Sequence, residues 1–225
     1  LLLYGGISRG HKAGLFNLGF TAGAAAIPGI PVKDEVLTSY EIGAKSTLMN
    51  GKLRLNGAVF HYDYDDSQAF QFDGTTLSAQ AFNSDAKITG VEMELAATPM
   101  EGLDMLATLT YMDAEVKDVT LFGLQQVNTR MPLTPDWKFS LLGRYEWASP
   151  WSGRLVLQGD VTWSDDQYFD TFNSPSHFED DYAIANARLS WLSDDEKWKL
   201  TVFADNITDT EYRTFSFDLA FLGFS

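Results

Sequence analysis

The 225-residue sequence contains no cysteine, which excludes a disulfide framework, a thiol nucleophile and a thiolate metal site together. Cations are scarce as well. Lys and Arg number 16 against 31 Asp and Glu, a formal net charge of −15, and the basic residues are scattered singly. The clustered cations on which phosphate binding depends are missing, so no nucleic-acid partner is expected. Only one uncharged stretch, 13–32, is long enough to cross a bilayer as a helix, and it carries Asn17, Pro28, Pro31, Gly14, Gly19, Gly23 and Gly29. It reads as a small-residue loop. The opening residues lack the basic segment that precedes the apolar run of a signal peptide, and they read as internal to a longer chain. Nothing marks a linker between halves, so 1–225 reads as one domain or a piece of one.

Catalytic signals are equally sparse. No Gly-x-Ser-x-Gly elbow occurs, and Ser176 and His177, being adjacent, would point to opposite faces of any strand. His11, His61 and His177 lack the spacing of a helical metal site. Carboxylates gather at Asp63, Asp65 and Asp66 and again at Asp165, Asp166, Asp170, Glu179, Asp180 and Asp181. They read as a solvated acidic rim, with calcium or a lipopolysaccharide-bridging cation as the alternative. No catalytic residue, resident metal or cofactor is expected.

What the chain does have is aromatic residues and alternation. Six Trp, nine Tyr and sixteen Phe make up 14% of the residues. Trp137, Phe139, Leu141, Tyr145 and Trp147 share one parity against Lys138, Ser140, Arg144 and Glu146, and Leu155, Leu157, Val161 and Trp163 repeat the pattern against Arg154, Gln158 and Asp160. Tyr40, Ile42 and Ala44, then Val91, Met93 and Leu95, then Trp198, Leu200 and Val202 do the same. About nine strands are predicted, near 1–8, 36–49, 52–64, 86–97, 103–115, 137–147, 154–164, 181–192 and 197–206. In 52–64 the parity of Leu53 and Leu55 disagrees with that of Phe60, Tyr62 and Tyr64, which implies a bulge or a different register.

Connections alternate in length. Short turns are expected at Asn50-Gly51, 98–102, 149–153 and 193–196, and long ones at 9–35, 65–85, 116–136, 165–180 and 207–225. A soluble β-sandwich has no reason for this asymmetry, whereas bacterial outer-membrane barrels pair short periplasmic turns with long external loops. The aromatics fit the same frame. Trp137 and Trp147 are ten residues apart on one parity, roughly 23 Å along the membrane normal at about 3.3 Å per residue and a 45° tilt, close to the height of a lipid-facing band. Trp147, Trp151, Trp191 and Trp198 fall at the short-turn side, and Tyr111, Trp137 and Trp163 at the long-loop side. The expected fold is all-β, an incomplete part of an antiparallel transmembrane β-barrel, in which Glu92 and Glu94 face a wet lumen.

Several segments then carry a family resemblance. The run Tyr4-Gly5-Gly6-Ile7-Ser8-Arg9-Gly10-His11-Lys12-Ala13-Gly14-Leu15-Phe16-Asn17 is similar to a strand-to-loop segment of the TonB-dependent receptors, from which His11 and Leu15 depart. Ser39-Tyr40-Glu41-Ile42-Gly43-Ala44-Lys45-Ser46, the hairpin through Asn50-Gly51 to Tyr64, and Gly90-Val91-Glu92-Met93-Glu94-Leu95 continue it. Asn206-Ile207-Thr208-Asp209-Thr210-Glu211-Tyr212 resembles the signature that precedes the last external loop. The resemblance implies the C-terminal part of a 22-stranded barrel closed by an N-terminal plug, energised by TonB through a region outside this chain. Strand direction adds an expectation of its own: single-chain bacterial barrels have an even strand number with both ends periplasmic, so one further strand is expected beyond Ser225. The implied function is nutrient uptake across the outer membrane. A ferric siderophore is the expected ligand; haem, cobalamin, nickel chelates and oligosaccharides are alternatives, and a passive porin or a barrel enzyme are the competing classes. Outer-membrane lipid and lipopolysaccharide are expected neighbours. Arg9, His11, Lys12, Tyr168, Phe169, His177, Phe178 and Arg213 are the loop candidates for ligand contact, because cations and aromatic faces suit an anionic, aromatic iron chelate.

Overall fold

The structure, a computed structural model, describes residues 1–17, 30–73, 78–121 and 125–216. Its strands are β1 (Leu2–Lys12), β2 (Leu15–Asn17), β3 (Ile30–Val32), β4 (Glu35–Leu48), β5 (Leu53–Asp73), β6 (Ser78–Met100), β7 (Leu103–Leu121) and β8 (Gln125–Arg130). They continue as β9 (Trp137–Ala148), β10 (Arg154–Ser164), β11 (Gln167–Tyr168), β12 (Phe178–Glu179), β13 (Tyr182–Leu192) and β14 (Lys199–Ala204). One antiparallel sheet takes the order β1-β4-β5-β6-β7-β9-β10-β13-β14, with β8 paired to the far end of β7. Two small hairpins, β2-β3 and β11-β12, stand apart from it. Sequential neighbours pair throughout the path, which is the up-and-down wall expected of the alternating connections.

Register divides the wall into two chemical faces. Across the middle rows Ile42 pairs with Val59 and Val59 with Val91, while Leu109 pairs with Phe139 and Tyr145 with Leu157. These residues share the outer face, where Ile42, Val59, Met93, Leu157 and Val202 are exposed. The opposite parity carries Glu41, Asn56, Glu92, Thr108, Ser140, Gln158, Asp160 and Asn186. Among the described residues thirty large hydrophobics are exposed and eight hydrophobics are buried, a ratio that water would not tolerate and lipid rewards. No described helix is long and apolar enough to cross a membrane; the crossing elements are strands.

The short turns are built to be tight. Gly102 and Gly153 both adopt positive φ, at +80° and +74°, and a Cβ there would lie 2.2 Å from the Glu146 carbonyl oxygen or 1.9 Å from that of Leu192. Only glycine fits either place.

Three expectations need correction. The stretches 65–85 and 116–136 are not simply loops: β5 and β6 run on as a hairpin to Asp73 and from Ser78, and β7 runs on to pair with β8. Polar alternation hid this, because strands that rise beyond the membrane need no apolar face. The parity conflict in 52–64 is not a bulge, since pairing is unbroken from Leu53 to Tyr64. Phe60, Tyr62 and Tyr64 face inward. Two register shifts lie higher, between Tyr64 and Ser67 and between Val116 and Val119, and a third lies at the β6-β7 turn, between Ala97 and Met100. Each of the first two holds an aspartate at positive φ, Asp66 at 52° and Asp118 at 53°, a conformation that Asp tolerates better than most residues. Finally, β1 extends to Lys12, so Arg9, His11 and Lys12 belong to a strand and not to a loop.

Candidate functional site

Both aspartate-bearing bulges sit level with Ala86, which pairs with Tyr64 on one side and Val116 on the other. Here the wall acquires a second layer. Ala86, Val116 and Val119 form a small core against Tyr64, Met131 and Phe172. Above it, polar side chains bind the segments together. Gln68 donates from Nε2 to the carbonyls of Ala13 and Lys33, both at 2.9 Å, tying the β2-β3 hairpin to β5. Lys33 reaches Asp66 at 2.8 Å, and that hydrogen bond raises the lysine above its ordinary pKa.

A second cluster joins the connection after β10 to the one after β14. Tyr168 and Phe178 pair across β11-β12 with ring centroids 5.0 Å apart, and Phe169 donates to the carbonyl of a buried His177 at 2.9 Å. The His177 ring meets the Ser216 hydroxyl at 2.9 Å. Arg213 donates to the buried Glu179 carboxylate from Nε at 2.6 Å and from its backbone N–H at 3.1 Å, and also to the carbonyl of Phe178. Arg130 closes the other side, bound to Asp136 and Asp166 and lying 5.8 Å from the Tyr168 ring centroid. Partial burial would lower this guanidinium, yet its hydrogen bonds and the charges of the two aspartates hold it above its ordinary value.

Five of the eight candidates, Tyr168, Phe169, His177, Phe178 and Arg213, therefore come together. Their surroundings differ from one another. Arg213 is committed to Glu179, and His177 and Phe169 are buried within the cluster. Tyr168 and Phe178 keep partly accessible rings. The other three lie on β1. Arg9 and His11 share the outward parity of Leu3 and Ile7, and Lys12 lies 3.9 Å from Glu35. Arg130 and Asn173, whose side chain bridges the backbone of Arg130, escaped the sequence reading, and Glu179, read there as part of a solvated acidic rim, is instead buried against Arg213. No local pattern distinguishes them, because their partners lie 34 to 43 residues away. Among the described residues no group of three or more His, Asp or Glu could hold a metal ion.

The arrangement is an outer lipid-facing surface, a hydrated inner surface, and a hydrogen-bonded loop cluster at one end only. A family model described as TonB dependent receptor-like, beta-barrel, matches residues 1–207. The chain belongs to this family. It is a wall segment of an outer-membrane β-barrel receptor and not an enzyme. The ferric-pyoverdine BN7/BN8 receptor of Pseudomonas putida is 27% identical over 175 residues, covering 77% of this chain and 19% of that protein. The ferric-pyoverdine 358 receptor of the same organism is 23% identical over 192 residues, covering 83% of this chain and 22% of that protein. Among solved structures, the ferric yersiniabactin uptake receptor FyuA from Yersinia pestis superposes with a TM-score of 0.76 at 22% identity, over 96% of this chain and 31% of the receptor. The chain thus spans about a fifth of the curated relatives' length.

Proposed function

We propose that the complete protein of this TonB-dependent receptor chain imports a ferric siderophore across the outer membrane, with TonB as energy-coupling partner through a region outside this chain. The family match over 1–207, joined to curated relatives named as ferric-pyoverdine receptors, carries the reading. The physical arrangement supports it in two ways. The inner face is lined by hydroxyls, amides and carboxylates, which cost little beside water and permit passage of a polar chelate. The loop cluster presents Tyr168 and Phe178 on a scaffold fixed by Arg130 and Arg213, and rigid aromatic faces lose little entropy on binding. Ligand contact is assigned to those two rings, while Arg213, Phe169 and His177 position them. The test is uptake of radio-iron by cells expressing the complete protein as their only receptor, with ferric pyoverdine supplied. Energy-dependent accumulation that disappears in a TonB-deficient strain is expected; accumulation that persists there would overturn the reading in favour of a passive pore.

A further inference from the structure

On the inner face near the short turns, β9, β10, β13 and β14 bring Arg144, Arg154, Arg188 and Lys199 around one cavity of about 160 Å³, together with Gln158 and Ser190. No carboxylate among the described residues lines it, in a chain where acids outnumber bases 31 to 16. Several carboxylates nearby are engaged outside the cavity, chiefly by Arg144 and Arg154. Glu146 is shared by Arg144 and Arg154, Asp104 lies 3.4 Å from Arg144, and Glu196 lies 2.8 Å from Arg154. Asp160, one row away, accepts from Asn186 at 2.7 Å. Arg188 and Lys199 have no carboxylate within ion-pair distance among the described residues. Arg144 and Arg188 both flank Gln158, and Arg154 and Lys199 both flank Leu192, so the four cations stand in two rows of one face, and cations gathered without enough counter-charge mark a place where something else supplies it.

We infer that Arg188 and Lys199, with Arg144 and Arg154 beside them, form an oxyanion-binding site on the inner wall, whose ligand is a carboxylate carried by a larger body. Size decides the second half of that statement. Pockets that enclose whole small-molecule ligands run to roughly 300–1,000 Å³, so this cavity by itself holds one anionic group, and the body that carries the group lies outside it, toward the larger hollow of about 710 Å³ that shares Arg144 and Arg154. Chemistry decides the first half, because the guanidinium fork of Arg188 suits a planar two-oxygen group, Lys199 adds a point charge, and Arg144 and Arg154 add positive field beside them. The carboxylate can come from two sources, an anionic arm of the passing chelate or an acidic side chain of protein packed inside the barrel. The first source rests on the transport reading above; the second does not.

The experiment uses the complete receptor with Arg188→Gln and Lys199→Gln together, beside a charge-retaining pair, Arg188→Lys with Lys199→Arg. Both side chains are exposed on this wall segment, and heat-modifiable gel migration verifies that each barrel is folded. If the chelate is the source, the glutamine pair lowers the initial rate of ferric pyoverdine uptake by about tenfold, while binding by de-energised cells stays within about twofold. If protein is the source, the ligand-free purified receptor instead exchanges amide hydrogens about tenfold faster at an acidic segment outside residues 1–225. Either effect must be restored by the charge-retaining pair. Uptake and exchange both equal to those of the natural receptor would overturn the inference. Absence of surface binding by the natural receptor would sink ferric pyoverdine as the ligand and leave hydrogen exchange to decide the oxyanion site.

Discussion

At the scale of single residues, the inward aromatics show how this wall thickens without a conventional core. Phe60 lies over Gly90, where a Cβ would come within 2.4 Å of the ring and 2.6 Å of the Tyr111 carbonyl oxygen. Tyr4 lies over Gly43 in the same way, but there the three nearest atoms all belong to its own ring. A ring can swing aside and a paired backbone carbonyl cannot. Gly90→Ala is therefore expected to cost about 1–3 kcal/mol through overpacking, and Gly43→Ala less, chiefly the Tyr4 hydroxyl's 2.7 Å hydrogen bond to Glu41. Urea midpoints of the refolded barrels in detergent compare them directly, and equal losses would refute the distinction. A second residue-scale expectation concerns Arg213. Its removal leaves the Glu179 carboxylate, only 11% exposed, without its cation. Arg213→Ala should loosen the cluster by on the order of 1–3 kcal/mol, seen as protease cleavage within 165–181 that the natural protein resists.

At the scale of elements, each strand has two faces with opposite tolerances. Leu157 is 47% exposed on the outer face and Gln158 lies on the inner one. Leu157→Arg should cost roughly 2–4 kcal/mol near the bilayer midplane, whereas Gln158→Arg, which sits opposite Arg144 and Arg188 on the inner face, should cost only about 1 kcal/mol or less of like-charge repulsion. The turn before β14 adds a pH dependence. Asp195 accepts from the Ser193 hydroxyl at 2.7 Å and from Lys197, and these bonds hold its carboxyl below the ordinary range. A depressed carboxyl stabilises the fold above about pH 4, its unfolded value, and that help fades as pH falls through the folded value. Amide exchange at Lys197 should accordingly rise relative to neighbouring strands below about pH 4. Strand identity and facing were legible from Trp137 to Val202, because lipid on one side and water on the other impose a strict period of two. The extensions of β5, β6 and β7 were not legible, since both of their faces leave the membrane. The fold brings five of the loop candidates together, and it pairs Arg213 with Glu179, a contact no local pattern shows because the two lie 34 residues apart.

At the scale of the whole molecule, the two ends of the wall are unlike in a way that assigns them to opposite compartments. At one end β6-β7, β9-β10 and β13-β14 are joined by tight turns, two of them closed by glycines that admit no side chain. At the other end the chain adds a bulged extension, two hairpins and a cluster joined by Arg130 and Arg213. Outer-membrane barrels place their elaborate connections outside the cell and their short turns in the periplasm. The aromatics agree, with Tyr111 and Trp137 4.6 Å apart near the loop end and Tyr145 and Trp147 5.4 Å apart near the turn end. These two pairs bracket the outward apolar band, as interfacial girdles do. Because this chain has no cysteine, single thiols report on its position without interference from its own residues. Ser176→Cys, exposed in the loop cluster, should react with a membrane-impermeant maleimide on intact cells, and Ser152→Cys, exposed in the β9-β10 turn, should react only after the outer membrane is opened. Labelling of Ser152→Cys alone in intact cells would invert the orientation. It would then place Tyr168 and Phe178 on the periplasmic side, where they could not be the first surface that an external ligand meets.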